Sequence, residues 1–233
     1  MDQSLSFNRA LVEKYDRPGP RYTSYPTAPQ FHQAFAMDDY HAAAQASNQA
    51  AAPKALSLYI HIPFCKSLCY YCACNKIITQ KTHRAVEYLS YLKREIAMQA
   101  ALFDRSRTLT QLHLGGGTPT YLTREQLADL MDCLHQAFVM DDSDNHEFSI
   151  EVDPRTIDTE QIQALRRLGF NRLSFGVQDF DPQVQAAVNR VQSEEQIYAL
   201  VAAARAARFK SVSVDLIYGL PLQTQDSFTI TLD

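Results

Sequence analysis

The sequence has no apolar stretch that approaches the ~20 residues needed to span a bilayer, which excludes a transmembrane helix. Residues 1–6 also lack the basic start and the apolar core of a secretory signal peptide. We therefore expect a cytoplasmic protein with no membrane partner, in a compartment that keeps thiols reduced.

A long basic run is missing as well. The 22 lysines and arginines stand against 26 acidic residues, which gives a net charge of −4. Nucleic acid is therefore not an expected partner, and an enzyme that acts on a small molecule fits better. A chain of this length can bury roughly 70% of its unfolded surface, so it needs no covalent staples, and we expect a monomer.

Cysteine is scarce outside one stretch. Four of the five cysteines fall between residues 65 and 74, directly after an apolar, β-prone run. Cys65, Cys69 and Cys72 have the spacing C-x3-C-x2-C, and Cys74 follows two residues later. Several thiolates on a short loop suit a soft metal centre. Three ligands would leave one iron of a [4Fe-4S] cluster open to a small molecule, which is a catalytic arrangement.

Two other uses of these cysteines stay open. Zinc usually takes four ligands, often as two Cys-x2-Cys pairs or with histidines, but Cys133 stands alone and His61 precedes the loop. A disulfide framework suits small secreted chains, whereas this chain is large and shows no secretory signal. Both alternatives fit the sequence less well than a cluster does.

The three-cysteine loop after a strand resembles the signature loop of the radical S-adenosylmethionine (SAM) enzymes. Cys74, together with Tyr-Asp-Arg-Pro-Gly-Pro-Arg-Tyr-Thr-Ser-Tyr-Pro at residues 15–26, is similar to a narrower family, the oxygen-independent coproporphyrinogen III oxidases. Related haem chaperones share the loop, but they usually carry an aromatic residue at the Cys74 position and lack the upstream stretch. The alternative is therefore a chaperone that binds haem without decarboxylation.

Residues 1–54 are predicted to form an N-terminal arm with one short helix. Four prolines between residues 18 and 29 interrupt periodic structure. Tyrosines and arginines interleave between residues 15 and 25, which is unusual for a disordered tail and favours an arm that docks. In the family the arm lies near the active-site mouth, which makes Arg17 and Arg21 candidates for contacting substrate carboxylates. The alanine-rich residues 38–52 are predicted to be helical.

Strand and helix patterns alternate through residues 55–233. The predicted strands are 56–62, 109–114, 147–152, 172–177 and 211–217. The predicted helices are 82–103, 123–138 with a capping box at Thr123 and Gln126, 159–169 ending in a left-handed Gly169, and 193–209 opening at Ser193. This alternation predicts an α/β fold of βαβ units with a parallel sheet, a (β/α) partial barrel of radical SAM type.

Polar and glycine features collect at the carboxyl ends of these strands, where parallel sheets place their chemistry. Three of the seven glycines, at positions 115–117, follow the second strand. Without side chains they would let a ligand approach the backbone and would leave amides free to bond it. The plain alternative is a tight turn. A phosphate loop is disfavoured because neither Gly-x4-Gly-Lys-Ser/Thr nor Gly-x-Gly-x2-Gly is present.

The resemblance implies a role for individual residues. It makes Cys65, Cys69 and Cys72 the cluster ligands, whereas Cys74 is not expected to be a ligand. Through the motifs Gly-Gly-Gly-Thr-Pro-Thr, Ile-Glu-Val-Asp-Pro and Phe-Gly-Val-Gln-Asp it implies contacts with two SAM molecules. The residues implied for the first SAM are Tyr59, Gly116 and Glu151. Those implied for the second SAM or its surroundings are Tyr71, Gly117, Thr118, Gln178, Arg190 and Asp215. Taken singly, the charged members would be ordinary surface groups.

The resemblance implies oxidative decarboxylation of two propionates of coproporphyrinogen III to the vinyl groups of protoporphyrinogen IX, in anaerobic haem biosynthesis. The reduced cluster would cleave SAM, and the 5′-deoxyadenosyl radical would take hydrogen from a propionate. A low-potential electron donor is therefore an implied partner. The protein would supply positioning and would exclude water and oxygen.

Members of the family are considerably longer than this chain. The chain stops at Asp233 soon after the fifth predicted strand, so we expect a barrel that is incomplete at its C-terminal end. The 233-residue chain by itself is expected to bind a cluster weakly at most and not to convert coproporphyrinogen.

Overall fold

The computed structural model describes residues 7–17 and 27–233. The prediction for Arg21, like the rest of the arm between residues 18 and 26, lies outside the described residues. The chain divides into two compact units, Met1–Ala46 and Ser47–Asp233. Within the described ranges, no helix has the length and apolar character needed to cross a membrane.

Two helices and a short 3-10 turn occupy the start of the chain. Helix α1 (Arg9–Tyr15) was not predicted, although Asn8 caps it by accepting a hydrogen bond from the Leu11 amide at 3.0 Å. The 3-10 turn spans Ala28–Gln30. Helix α2 (Met37–Asn48) corresponds to the predicted alanine-rich helix but ends before residue 52.

The second unit is built on a parallel sheet. Its strands are β1 (Leu56–Ile62), β2 (Phe64–Cys65), β3 (Ile77–Ile78), β4 (Thr108–Gly116), β5 (Val139–Met140), β6 (Glu147–Val152), β7 (Arg172–Gln178) and β8 (Ser211–Leu216). Five of them pair in the order β1-β4-β6-β7-β8, with β5 beside β4, and β2 pairs with β3 separately. Every described pairing is parallel. The predicted (β/α) partial barrel is confirmed.

Helices follow the strands. They are α3 (His83–Ala100), α4 (Arg124–Ala137), α5 (Thr159–Arg167), α6 (Pro182–Ala187), α7 (Glu194–Ala206) and α8 (Gln225–Leu232). Of these, α3, α4, α5 and α7 pack against the sheet in the main core. The capping box at Thr123 and Gln126 is formed, and Gly169 has a φ of +97°. At α7 the Ser193 hydroxyl accepts from the Gln196 amide, but the Gln196 side chain donates to the Pro154 carbonyl instead of completing a box.

Alternation along the strands separates the core from the inner face of the barrel. On β6 and β7 every second side chain is buried against the helices, and the residues between them face inward. The buried members are Phe148, Ile150, Val152, Leu173, Phe175 and Val177. The inward-facing positions carry small or polar residues instead, which are Ser149, Glu151, Ser174 and Gly176. This polar inner face leads to the candidate site.

Candidate functional site

A cavity of about 230 Å³ opens at the carboxyl ends of the main strands. All residues predicted to bind the cluster or SAM, except Tyr59, line it. They are Cys65, Cys69, Tyr71, Cys72, Gly116, Gly117, Thr118, Glu151, Gln178, Arg190 and Asp215. Residues that are far apart in the sequence therefore meet here because the sheet is parallel and its strands end at one rim.

The cysteine loop is closed by a strand pair at its ends and is hydrogen-bonded in its middle to Asn189. Cys65 ends β2, and the β2–β3 pair brings the two ends of the loop together, with the Ile77 amide donating to the Pro63 carbonyl at 2.7 Å. Farther along, the Asn189 side-chain amide donates to the Leu68 carbonyl at 2.7 Å. The loop therefore holds its thiols in place through backbone contacts.

The thiols differ in their surroundings. Cys69 is buried, Cys65 and Cys72 are half-buried, and Cys74 is exposed, and all are free of disulfides. Burial raises the pKa of the Cys65 thiol, whereas the Thr118 hydroxyl, which donates to its sulfur at 3.4 Å, acts in the opposite direction. Burial also raises the pKa of Cys74. Uncompensated burial favours the neutral thiol, and a bound cation would favour the thiolate.

The donor chemistry of the loop fits an iron–sulfur cluster. Four free thiols on one loop, those of Cys65, Cys69, Cys72 and Cys74, line a single cavity, and thiolates are the usual ligands of iron–sulfur clusters. Within residues 7–17 and 27–233, no three side chains of His, Cys, Asp or Glu are arranged to hold a single metal ion.

A buried ion cluster lies beside Cys69. Arg155 donates through Nη2 to Asp153 Oδ2 at 2.7 Å and through Nε to Oδ1 at 3.0 Å, and Arg190 Nη2 lies 3.4 Å from Asp153 Oδ1. One guanidinium nitrogen of each arginine also lies 3.5 Å from Cys69 Sγ. Burial would raise the pKa of Asp153, but the hydrogen bond from Arg155 and the charge of Arg190 outweigh it and lower that pKa.

Sequence reasoning assigned no role to Arg155 or Asp153. The available signal was the Asp-Pro-Arg sequence directly after a predicted strand, where Asp153 begins a 3-10 turn, Pro154–Thr156, and accepts from the Arg155 amide at 3.1 Å. Arg190 was predicted, and most of its donors already bond within the protein, since its Nε donates to the Gly176 carbonyl at 3.2 Å.

Two further predicted residues, Gln178 and Asp215, line the cavity. Gln178 has a φ of +74°, a left-handed backbone conformation that is uncommon for a residue other than glycine, and it follows an irregularity in the β7–β8 register. Asp215 accepts hydrogen bonds from the Ser174 hydroxyl, with both carboxylate oxygens 3.0 Å from it. These two residues therefore offer one amide and one carboxylate to a ligand.

The glycine turn differs from the expectation that its amides are free. The Gly116 amide donates to Glu151 Oε2 at 3.2 Å, and the Gly117 amide donates to the Ile62 carbonyl at 2.8 Å. The expectation is wrong for both, because the backbone bonding between β1 and β4 continues to Gly117 and Glu151 reaches across from β6. The missing side chain serves internal packing, since a Cβ on Gly117 would lie 2.8 Å from the Pro63 carbonyl.

Tyr59 lies beside the cavity and is not among its lining residues. Its ring stacks on His113 with 5.7 Å between centroids, and its hydroxyl lies 2.9 Å from His61 Nδ1. His113 Nε2 in turn lies 3.3 Å from Glu151 Oε1. Sequence reasoning assigned no role to either histidine, and the structure places both in contact with the predicted residues Tyr59 and Glu151.

Comparison with known families decides which chemistry this arrangement belongs to. The family model described as the radical SAM superfamily matches residues 59–233. The chain belongs to the radical SAM superfamily. The cofactors of this chain are therefore a [4Fe-4S] cluster and SAM, and the cluster is preferred to the zinc and disulfide alternatives.

Relatives within the radical SAM superfamily point to a narrower group. The chain is 48% identical over 233 residues to the oxygen-independent coproporphyrinogen III oxidase of Pseudomonas aeruginosa, covering 100% of this chain and 50% of that protein. It is 50% identical to the oxidase of the same name from Escherichia coli K12, and the match covers 99% of this chain and 49% of that protein. The solved coproporphyrinogen III oxidase (HemN) from Escherichia coli superposes with a TM-score of 0.86 at 48% identity, covering 99% and 50%. The chain thus spans about half the length of the curated relatives it matches.

Proposed function

We propose that this chain carries the cluster-binding and SAM-binding part of an oxygen-independent coproporphyrinogen III oxidase. The observation that supports this most strongly is the meeting of the three loop cysteines with Glu151 and Asp215 in one cavity, in a chain about half identical to proteins of that name. The relatives carry the oxidase name, which favours the oxidase over the haem-chaperone alternative.

In this proposal Cys65, Cys69 and Cys72 hold the cluster, and Cys74 does not. The body of the barrel fixes the loop, so the three sulfurs have a defined arrangement before the cluster binds. The Thr118 hydroxyl at Cys65 places a hydrogen-bond donor on a ligand sulfur. Donors around the ligands of a metal centre orient them and tune the metal.

The remaining predicted residues are assigned to SAM. Those proposed for the first SAM are Tyr59, Gly116 and Glu151. Those proposed for a second SAM or its surroundings are Tyr71, Gly117, Thr118, Gln178, Arg190 and Asp215. Carboxylates such as Glu151 and Asp215 accept hydrogen bonds from hydroxyl or ammonium groups. Glu151 is held by the Gly116 amide and faces His113, so it meets a ligand in a fixed orientation.

The chemistry is divided between the cofactors and the chain. When bound, the cluster and SAM supply the one-electron reduction and the hydrogen abstraction that oxidative decarboxylation of a propionate requires. The chain's residues hold the sulfurs, orient the carboxylates and bring backbone close to the ligand at the glycine turn. The bulky Tyr71 ring, half-buried against Val184 and Val188, covers one side of the cavity and limits the access of water.

Substrate and partners belong to the same proposal. Coproporphyrinogen III is the proposed substrate, its two propionates are the reacting groups, and a low-potential electron donor supplies the electron. We assign residues 1–54 to an arm and residues 55–233 to the radical SAM domain, with Arg17 and Arg21 as candidates for contacting propionates. Arginine suits that task because its planar fork binds a carboxylate through two hydrogen bonds.

The proposed SAM site is tested by exchanging Glu151 for Gln. Glu147→Gln is the matched control, because Glu147 lies on the same strand but is exposed and pairs with Arg172 at 3.0 Å. Anaerobically reconstituted, dithionite-reduced protein, expressed from its own gene, should release 5′-deoxyadenosine from SAM. We expect Glu151→Gln to weaken SAM binding at least tenfold, equal to about 1.4 kcal/mol, and Glu147→Gln to behave as the wild type.

The substrate is tested separately. This test uses the protein as it is expressed from its own gene, and not the 233-residue chain by itself. Incubation with coproporphyrinogen III, SAM and dithionite under anaerobic conditions should yield protoporphyrinogen IX. Tight haem binding with no 5′-deoxyadenosine release would contradict the proposal and would favour a chaperone.

A further inference from the structure

Arg155 lines the cavity and has no role in the proposal above. Its side chain is 21% exposed, and its Nη2 lies 3.5 Å from Cys69 Sγ. The two residues are 86 positions apart in the sequence. A guanidinium this close to a thiol sulfur has a direct electrostatic effect on whatever the sulfur binds.

The guanidinium is held in one orientation. Asp153 accepts from its Nη2 and its Nε, and the same carboxylate accepts from the Arg155 backbone amide. Asp153 is itself buried, with 9% of its surface exposed. A buried carboxylate that accepts two hydrogen bonds from the guanidinium leaves the Arg155 side chain little rotational freedom. The Nη2 group therefore stays directed at the sulfur.

The three cysteines assigned to the cluster are not equivalent in their donors. Arg155 and Arg190 both approach Cys69 Sγ at 3.5 Å, whereas Cys65 receives a neutral hydroxyl from Thr118 at 3.4 Å. Arg190 is also occupied by the Gly176 carbonyl and is already proposed to lie near SAM. Of the two arginines at Cys69, Arg155 is thus the one that is not also proposed to lie near SAM.

We propose that Arg155 is a positioning residue that raises the reduction potential of the cluster through its contact with Cys69. The inference rests on the proposed function, in which Cys69 is a cluster ligand. Reduction adds one negative charge to the cluster and its thiolates, and an adjacent fixed cation stabilises the reduced form more than the oxidised form. Hydrogen bonds to ligand sulfurs and net charge are established determinants of cluster potential.

The test is a redox titration of the reconstituted protein, followed by the electron paramagnetic resonance signal of the reduced cluster. Arg155→Gln keeps a donor for Asp153 but removes the charge. At the wild-type midpoint we expect its ratio of reduced to oxidised cluster to fall about tenfold, a shift of about 59 mV to more negative potential for one electron. Arg155→Lys, which keeps the charge, should recover part of the shift.

Arg124→Gln is the matched control, because Arg124 is an exposed arginine paired with Asp158 at 3.3 Å and with Glu160 at 3.4 Å, outside the cavity lining. It loses the same charge and should leave the potential unchanged. A four-iron Arg155→Gln protein with the wild-type potential would overturn the inference and leave the proposed function standing. An equal shift in Arg124→Gln would also overturn it. A wild-type protein that is expressed from its own gene and binds no cluster would overturn both.

Discussion

Gly116 lies directly against the imidazole of His61, and a Cβ added to Gly116 would stand 2.7 Å from Cε1 of that ring. The ring cannot easily move aside, because its Nδ1 lies 2.9 Å from the Tyr59 hydroxyl and its Nε2 lies 2.8 Å from the Asn75 carbonyl. Asn75 is part of the loop that follows the cysteines. The glycine turn, the first strand and the cysteine loop are therefore packed as one unit.

Gly116→Ala is expected to destabilise the protein through this contact. Gly116 has a φ of +116°, so alanine would bring backbone strain as well as a clash with His61. Strain of about 1–2 kcal/mol and overpacking of about 1–3 kcal/mol together give a loss of about 3 kcal/mol. Urea unfolding of the two proteins measures the loss.

Gly219→Ala separates the cost of backbone strain from the cost of the clash. Gly219 has a φ of +80°, but nothing lies within 4 Å of the position of its added Cβ. It should lose only the backbone part, about 1 kcal/mol. If the free energy of unfolding fell by the same amount in both variants, the clash with His61 would make no measurable contribution.

Asp153→Asn should be among the most destabilising single changes near the cavity. The amide keeps the shape of the carboxylate but leaves Arg155 and Arg190 close together and partly buried without their counter-charge. Breaking a buried pair in this way costs about 3–5 kcal/mol. Asp129→Asn is the control, because Asp129 forms an exposed pair with Lys93, and it should change the unfolding free energy by about 0–1 kcal/mol.

The same carboxylate predicts a pH dependence. The pKa of Asp153 is lowered in the folded protein from its ordinary value of 3.8. The stabilisation is therefore complete above that value and is lost as the pH falls through the lowered folded pKa. The difference in unfolding free energy between the wild type and Asp153→Asn should be constant from neutral pH to about pH 5 and should shrink in more acidic buffer. A difference in unfolding free energy that grew as the pH fell would contradict this prediction.

The capping box of α4 gives a prediction with an internal control. The Thr123 hydroxyl accepts from the Gln126 amide at 3.2 Å, and the Gln126 side chain accepts from the Thr123 amide at 3.0 Å. Thr123→Ala should cost about 1 kcal/mol. Thr82 occupies the same position before α3 but forms no side-chain cap bond, so Thr82→Ala should be nearly neutral in the same thermal or urea unfolding experiment.

Asn171 links two neighbouring strands from inside the core. It is fully buried, its Oδ1 accepts from the Phe148 amide at 3.0 Å, and its Nδ2 donates to the His146 carbonyl at 2.7 Å. Asn171→Ala leaves both backbone groups without these partners, which should cost about 2–3 kcal/mol. Asn145→Ala, an exposed change nearby, should lie within about 0.5 kcal/mol of the wild type. If the two variants had the same unfolding free energy, the prediction would be wrong, and water would have replaced the hydrogen bonds of the Asn171 side chain.

The main strands and most helices could be predicted from the sequence because their signals are local. Capping residues such as Thr123 and alternation along β6 and β7 depend only on near neighbours. The pair Phe64–Cys65 and Ile77–Ile78 was missed because a two-residue strand has no periodicity, and the short α6 was missed for a similar reason. The polar rim was predictable because parallel strands end together.

Contacts that depend on tertiary convergence were beyond the sequence. Arg155 meets Cys69 only because β6 ends beside the cysteine loop, and nothing local to either residue indicates it. The bonded amides of Gly116 and Gly117 likewise depend on Ile62 and Glu151, which lie on other strands. The exclusion of Tyr59 from the cavity lining follows from its stacking on His113.

The most direct test of the account is the iron and inorganic sulfide content of anaerobically reconstituted protein, compared among the wild type, Cys69→Ala and Cys133→Ala. Cys133 lies on α4, outside the cavity lining. For protein expressed from its own gene, the account predicts about four irons and four sulfides per protein in the wild type and in Cys133→Ala, and their loss in Cys69→Ala. One zinc per chain without sulfide, or a cluster that survives in Cys69→Ala, would contradict it.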